Sequence, residues 1–519
     1  MGSELTSRNI EVQKIRFGDP DALHEFMKQD RDGSSVLQNA FVAPPRTSLE
    51  ELRSGARFLL IGPKGSGKTT LLLHLKRSEN SQHGRLILFK SSIRAEDRAN
   101  LDKLTEMIFL EDAGKYSFET DYRTIWEWYI LKNFLRLLSD DDVLSGNKLF
   151  KDMVLLLEAD SKKFSAMLDS IKVDGAKGNI KLSVGTGALQ TEIGAEINAR
   201  RVSGNQVPLL DLVRLVQGAL PNIRLRDNVR CRLYFDELEF ALEKCGSGER
   251  DRRMVRDLIF AIYRTNLLFQ DAGLDALCYA AIRSEVIHSF PGSTQEVNKI
   301  TRSFGVTLSW EPVGEQKSAI LDIFERKIIQ SEIEELGGYS ENPLERYFPS
   351  EVGGKPFPKY ILDMGGHRPR GVLLCLTAAA DRAWGETKVM PHHFEDDDNS
   401  FGNAMLDEFR EELSATLFEE EVDLSIALLR AHKPVFGMPD FRKRMSVLNQ
   451  AMGERRFDPA KDAVKLIQTL YRVGIIGNTF FSEEGNHPRQ TWANRGYFNP
   501  SLDKNFVVHP SVQKVLQTT

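Results

Sequence analysis

The sequence of 519 residues is poor in cysteine. It holds four, Cys231, Cys245, Cys278 and Cys375, and no CxxC pair. That scarcity excludes a disulfide framework and a cysteine-based zinc site, and it fits a reducing compartment. Long apolar runs are also missing: the richest, such as Gly371–Ala380, fall well short of the roughly 18 residues a membrane-spanning helix needs. Met1–Arg8 is polar, without the apolar stretch of a secretory signal, so a cytoplasmic chain with no membrane association is expected. No internal repeat, low-complexity tract or Ser/Gly-rich linker interrupts the chain, which excludes solenoid and fibrous classes.

What remains is an ordinary globular composition, 41% hydrophobic and 28% charged, long enough for about two to four domains. The net charge of −5 is unevenly spread. Ala431–Thr519 carries 13 Lys+Arg against 7 Asp+Glu, a local +6, which leaves −11 on the rest. A basic C-terminal module can meet an anion such as nucleic acid; solvated charged faces give the same balance.

Apolar strand-like runs at Ala56–Ile61, Arg85–Lys90, Arg230–Phe235, Ala276–Ile282 and Gly305–Trp310 alternate with helical patterns. That alternation predicts a parallel sheet covered by helices, a three-layer α/β core. Helical spacing runs through Trp126–Leu138 and Leu149–Ile171, and alternating residues in Asn179–Val184 and Leu189–Ile197 predict a hairpin around Gly185 and Gly187.

Directly after the first of these strands, Gly62-Pro63-Lys64-Gly65-Ser66-Gly67-Lys68-Thr69 matches GxxxxGK[ST] in full and opens a helix that continues with Thr70. Glycines let backbone N–H groups close around phosphate oxygens where a Cβ would clash, and the helix N-terminus adds positive potential. In this pattern Lys68 reaches the β- and γ-phosphates of ATP and the Thr69 hydroxyl coordinates Mg2+. A second apolar strand ends in Asp236-Glu237. Asp236 is placed to complete the metal shell and Glu237 to polarise the attacking water, which is the arrangement of an ATP-hydrolysing enzyme. No NKxD-type guanine motif is present. Leu144-Ser145-Gly146-Asn147 and Val202-Ser203-Gly204-Asn205-Gln206 echo the LSGGQ signature of ABC transporters. The first lies too far before Asp236, no D-loop follows Glu237, and Arg283 stands where that class has a histidine, so the class is set aside. His392-His393 with Glu395–Asp398 reads as solvated loop, not a metal site.

In these blocks, and in their order along the chain, the sequence resembles bacterial P-loop ATPases of the AAA+/STAND kind, related to the ORC/Cdc6-like and KAP ATPases. The residues that carry the resemblance include Phe17–Ala22, Ala40-Phe41-Val42, the P-loop, the Asp236 strand, Ile282–Glu285, Val306–Trp310, Gly366–Arg370, Leu470–Gly477 and Val507–Pro510. It implies that Arg283 reads the γ-phosphate and that Arg370, with Arg368 as the alternative, grips phosphate from a lid helix. It further implies that Arg302 or Arg264 reaches a neighbouring subunit, while Trp310 is packing. The implied layout is a lead-in (1–54), a P-loop core (55–312) with an inserted helical and hairpin subdomain at about 111–218, a helical lid (313–400) and a winged-helix domain (401–519).

In that last domain, helices at Pro439–Met452 and Pro459–Val473 precede strands at Gly474–Phe481, Thr491–Phe498 and Asn505–Val508. Lys461, Lys465 and Arg472 lie on the candidate recognition helix, and Arg489 and Arg495 in the wing. The expected protein is therefore an ATP-driven switch or motor and a homo-oligomer, acting on DNA or a protein effector. Family analogy adds bacterial defence against phage. Its rivals are an ATP-stabilised scaffold with negligible turnover and an ATP-gated DNA-binding regulator.

Overall fold

A computed structural model describes residues 4–5, 8–32, 36–79, 83–88, 122–158, 172–174, 181–184, 187–189, 209–238, 247–288, 295–312, 317–395, 397–452, 458–482 and 485–518. Cys245, the Val202–Gln206 echo and the end of the helix expected to Ile171 lie outside them. Helix α1 (Ala22–Asp32) precedes β1 (Leu59–Gly62), α2 (Lys68–Ser78) and β2 (His83–Leu88). Next come α3 (Arg123–Leu137), α4 (Asn147–Glu158), α5 (Leu209–Ala219), β3 (Cys231–Asp236), α6 (Ser247–Asp271) and β4 (Ala276–Arg283). Helix α7 (Gln295–Phe304) leads into β5 (Gly305–Thr307).

All five strands are parallel, in the order β5-β1-β4-β3-β2. Every residue of β3 is buried; since successive side chains alternate between faces, both faces of the sheet are covered. Leu59 and Leu60 of β1 are fully buried, and truncating either to Ala should cost about 2–5 kcal/mol. The register sets Arg283 opposite Gly62 and Asp236 opposite Leu88, so the phosphate loop, Arg283 and Asp236-Glu237 leave one edge of the sheet together. β4 lies between β1 and β3, which places Arg283 between the two motifs.

The stretch expected as an inserted subdomain contributes to the core itself. Trp126, Ile130 and Phe134 of α3 belong to the same buried cluster as the sheet, as do Met153 of α4 and Val216 of α5. The Trp126 indole N–H donates to the Met254 carbonyl on α6 at 2.9 Å, which locks α3 to the core. Between α4 and α5 a small antiparallel sheet joins Lys172–Asp174, Lys181–Val184 and Gly187–Leu189, with Leu182 opposite Leu189; residues 190–197 of the expected second strand lie outside the described residues.

A second core begins at Trp310. It contains α8 (Ala319–Leu336), α9 (Phe357–Met364), α10 (Pro369–Arg382), α11 (Ser400–Ser414), α12 (Glu419–Leu429), α13 (Met438–Met452) and α14 (Asp462–Val473). Strands β6 (Val435–Phe436), β7 (Ile476–Ser482), β8 (Gly485–Thr491) and β9 (Asn505–Val508) form an antiparallel sheet in the order β6-β9-β7-β8. One apolar cluster runs from Ile10, Val12, Ile15 and Phe17 through Ile361, Leu376 and Phe409 to Ile476 and Leu516, without a break at position 400.

Two expectations near the C-terminus are corrected. The strand expected at Thr491–Phe498 lies earlier, at Gly485–Thr491, paired with β7. After Trp492 the chain leaves the sheet as a 3-10 turn, because Asn494 donates to the Gly366 carbonyl and Arg495 pairs with Asp363 at 3.1 Å. Arg495 is thus engaged inside the molecule, also facing Glu311 and the His367 ring, and is not a wing residue. Among the described residues no helix is long and apolar enough to cross a membrane.

Candidate phosphate-loop site

Gly65 and Gly67 hold φ of +73° and +86°, a left-handed backbone that a side chain would strain. At Gly62 a Cβ would lie 2.6 Å from Ser66 Oγ and 3.3 Å from Leu308 Cβ, so a side chain there would force Ser66 to move. Gly67 caps α2, and the Lys68 ammonium turns back to donate to the Gly62 and Pro63 carbonyls, each at 2.9 Å.

These residues line a cavity of about 470 Å³, within the usual range for a small-molecule site. Lys64, Gly65, Gly67, Lys68, Thr69 and Thr70 face it from the loop and α2, Asp236 and Glu237 from the end of β3, Arg283 from the end of β4, and Arg370 from α10. The structure brings together residues predicted from motifs spread across more than 300 positions. Asp236 is buried, and its Oδ1 accepts the Glu237 N–H at 2.8 Å. Glu237 sits at φ +54°, a conformation rare outside glycine and concentrated at functional sites. Arg283 is 6% exposed.

Pro369 opens α10 with its fixed φ, which sets Arg370 in the first turn, beside the loop. Its backbone N–H donates to the Gly65 carbonyl at 3.4 Å. Arg368 does not line the cavity: it is buried, paired with Glu412, and donates to the Val473 carbonyl at 2.9 Å. Of the two arginines weighed from sequence, Arg370 is the one at the site. Arg264 and Arg302 lie elsewhere; Arg264 faces Glu127 at 3.6 Å, and Arg302 is exposed on α7.

The resemblance blocks Phe17–Ala22 and Ala40–Val42 contribute Asp19–Ala22 and Ala40–Val42 to the same cavity. Lys327 of α8 anchors that lead-in, donating to the Phe17 carbonyl and to Glu25, each at 2.8 Å. Phe41 stacks on His74 with ring centroids 3.6 Å apart, and burial followed by the Arg53 charge holds that imidazole below its ordinary range.

Three features escaped sequence reasoning. Glu408 and Glu411 of α11 line the cavity, Glu408 lies 3.1 Å from Lys64 and 3.2 Å from Arg370, and Glu411 also pairs with Lys64. The Trp310 indole donates to the Ser66 carbonyl at 2.9 Å. No local pattern links these residues to the loop, since each is more than 240 positions away. His393, by contrast, is buried and accepts the Met390 N–H at 3.0 Å; among the described residues no cluster of three or more His, Cys, Asp or Glu could hold a metal.

The lining of this cavity includes oxygen donors suited to a hard divalent cation. The Thr69 hydroxyl and the Asp236 carboxylate are both oxygen donors there, the set Mg2+ uses alongside substrate phosphates.

The family model of the ABC transporter matches residues 48–187. That stretch contains the whole phosphate loop and ends before Asp236, and it shows a P-loop nucleotide-binding core. The match stands against the exclusion of that class from sequence, although Leu144–Asn147, inside it, does not line the cavity. No curated protein matches the sequence. A solved structure that does is the ORC1 protein of Aeropyrum pernix in complex with DNA, 14% identical over 93% of this chain and 95% of that chain, with a TM-score of 0.35.

Proposed function

We propose that the chain is an ATPase of the AAA+/STAND kind, a nucleotide-driven switch whose C-terminal region meets DNA. The observation that carries the reading is the convergence of Lys68, Thr69, Arg283, Asp236, Glu237 and Arg370 on one cavity at one sheet edge. The strand order, with the Arg283 strand between the P-loop strand and the Asp236 strand, supports the AAA+ branch.

In this reading the loop amides and Lys68 bind the β- and γ-phosphates, and Arg370 and Arg283 add planar donor forks to the γ-phosphate. Thr69 and Asp236 hold Mg2+, which when bound neutralises charge on the transferred phosphoryl group. Glu237 orients a water and takes its proton as the oxygen attacks the γ-phosphorus and the bond to ADP breaks. Asp236, by accepting the Glu237 N–H, helps fix the backbone from which that carboxylate projects.

The elements after Trp310 fit a helical lid (313–400) followed by a winged helix (401–519) in which α12, α13 and α14 precede the β7-β8 hairpin. The hairpin between α4 and α5 fits an insertion into the core. Lys461, Lys465 and Arg472 are exposed along α14 and at its start, Arg489 is exposed on β8, and Phe481 on β7 is 71% exposed. These exposed basic side chains support DNA over a protein effector as the partner. Phosphate release by the full chain, with and without duplex DNA, tests both parts. Turnover that Glu237→Gln abolishes is expected. An inactive parent chain that still binds ATP would instead establish a scaffold.

A further inference from the structure

Three consecutive carbonyls of the phosphate loop are taken by donors from beyond the sheet: Lys64 by the Arg368 guanidinium at 3.4 Å, Gly65 by the Arg370 N–H at 3.4 Å, and Ser66 by the Trp310 indole at 2.9 Å. The Trp310 bond is the shortest. We propose that Trp310 is a positioning residue for phosphate binding, its indole N–H fixing the Ser66–Gly67 peptide so that the Gly67 amide faces the phosphate cradle. The proposal deepens the nucleotide-binding reading above and rests on it.

A trans peptide is planar, and its C=O and following N–H point in opposite directions. Holding the Ser66 carbonyl against the indole therefore turns the Gly67 N–H away from it. Gly67 has no side chain to set that plane itself, and at φ +86° it is free to rotate into other conformations. The indole supplies the missing constraint. The ring is 7% exposed and packed in the second core, and a Cβ on Gly67 would meet its Cζ2 at 3.7 Å, ordinary contact. Two residues earlier, the Leu308 N–H donates to the Ile61 carbonyl at 2.7 Å, tying the segment that carries Trp310 to the P-loop strand. A buried tryptophan needs a partner for its N–H, and here that partner is the loop. Packing alone would be served as well by a ring without a donor.

The test separates the phosphate-dependent part of binding from the rest. Calorimetry on the full chain measures MgATP and, separately, adenosine. Trp310→Phe keeps an aromatic ring and removes the N–H; MgATP affinity should fall about tenfold, the scale of one lost hydrogen bond, while adenosine affinity stays put. MgATP affinity equal to the parent, or equal losses for both ligands, overturns the proposal. If thermal unfolding shows that Trp310→Phe does not fold, benzothienylalanine installed at 310 preserves the bicyclic shape without the donor, and the same two outcomes decide. A parent chain that binds adenosine but not MgATP overturns the nucleotide reading and this proposal together.

Discussion

Glu408 on α11 lies 3.1 Å from the ammonium of Lys64 in the phosphate loop. The same carboxylate reaches Arg370, so one acid neutralises two cations that face the cavity. Burial pushes the Glu408 carboxyl up, but Arg370 and Lys64 outweigh it and hold it below the usual carboxylate range. A nucleotide phosphate must compete with that carboxylate. Glu408→Gln should therefore raise MgATP affinity by a few fold, on the scale of a half-buried ion pair. Weaker binding in a titration of the variant would mean that Glu408 orders the two cations instead of competing for them.

The two acidic and basic poles of the site should separate cleanly. Lys68→Ala removes the cation that closes the loop and should abolish MgATP binding. Glu237→Gln should leave binding intact and lower turnover by about 10²–10⁴-fold. Parallel binding and phosphate-release measurements read the two effects independently. Near-parental turnover in the glutamine variant would dismiss Glu237 as the base.

Backbone strain at Glu237 gives a prediction of opposite sign for stability. A left-handed non-glycine residue costs on the order of 1 kcal/mol, so Glu237→Gly should unfold at a higher temperature than the parent while losing activity. An unchanged or lower Tm in calorimetric scans would show that Glu237 contributes contacts that outweigh its conformation.

His509 should impose a pH dependence on folding. Burial, then the charge of Arg368, pushes its pKa down from 6.5 to about 3. Its folded pKa is depressed, so its contribution to stability is complete above pH 6.5 and is lost as pH falls toward 3. His509→Gln should flatten the stability profile in that window by up to about 1.4 kcal/mol per pH unit relative to the parent. Identical slopes in urea titrations between pH 4 and 6 would count against a neutral buried imidazole.

Arg302 offers a test of assembly. Arg57 donates to the carbonyls of Arg302, Ser303 and Gly305, which pins the end of α7 and presents the Arg302 side chain outward. If a neighbouring subunit uses it, specific activity should rise with protein concentration, and Arg302→Ala should remove that rise without weakening MgATP binding. Turnover independent of concentration would sink the idea.

The sheet and the phosphate loop were legible because their signals are local. Strand, glycine turn and helix follow one another within Leu59–Ser78, and the chemistry of Gly65, Gly67 and Lys68 is written in eight consecutive residues. The position of Arg283 also followed from its place at the end of an apolar run. Trp310, Glu408 and Glu411 were not legible, because their roles depend on which distant elements the fold brings to the loop. The final strands were misread for a related reason: Thr491–Phe498 alternates like a strand, but contacts of Asn494 and Arg495 with Gly366 and Asp363 pull it off the sheet. That Trp126, Met153 and Val216, from the stretch read as an insertion, pack in the same cluster as the sheet was not legible either, because burial depends on which distant elements the fold brings together.

The second core is continuous from Ile10 to Leu516, whereas its border with the sheet is crossed by polar bonds from Trp310, Arg368, Arg370 and Glu408 to the loop. Apolar packing resists sliding, but hydrogen bonds and ion pairs can be exchanged one for another at little net change. Motion coupled to the nucleotide would then be a shear along this polar seam, with the helices of the second core travelling as one rigid lever and Ile10, Val12, Ile15 and Phe17 carried along with them. Amide hydrogen exchange with and without MgATP would register such a movement at Lys64–Ser66 and Arg368–Arg370, and leave the interior of α14 untouched.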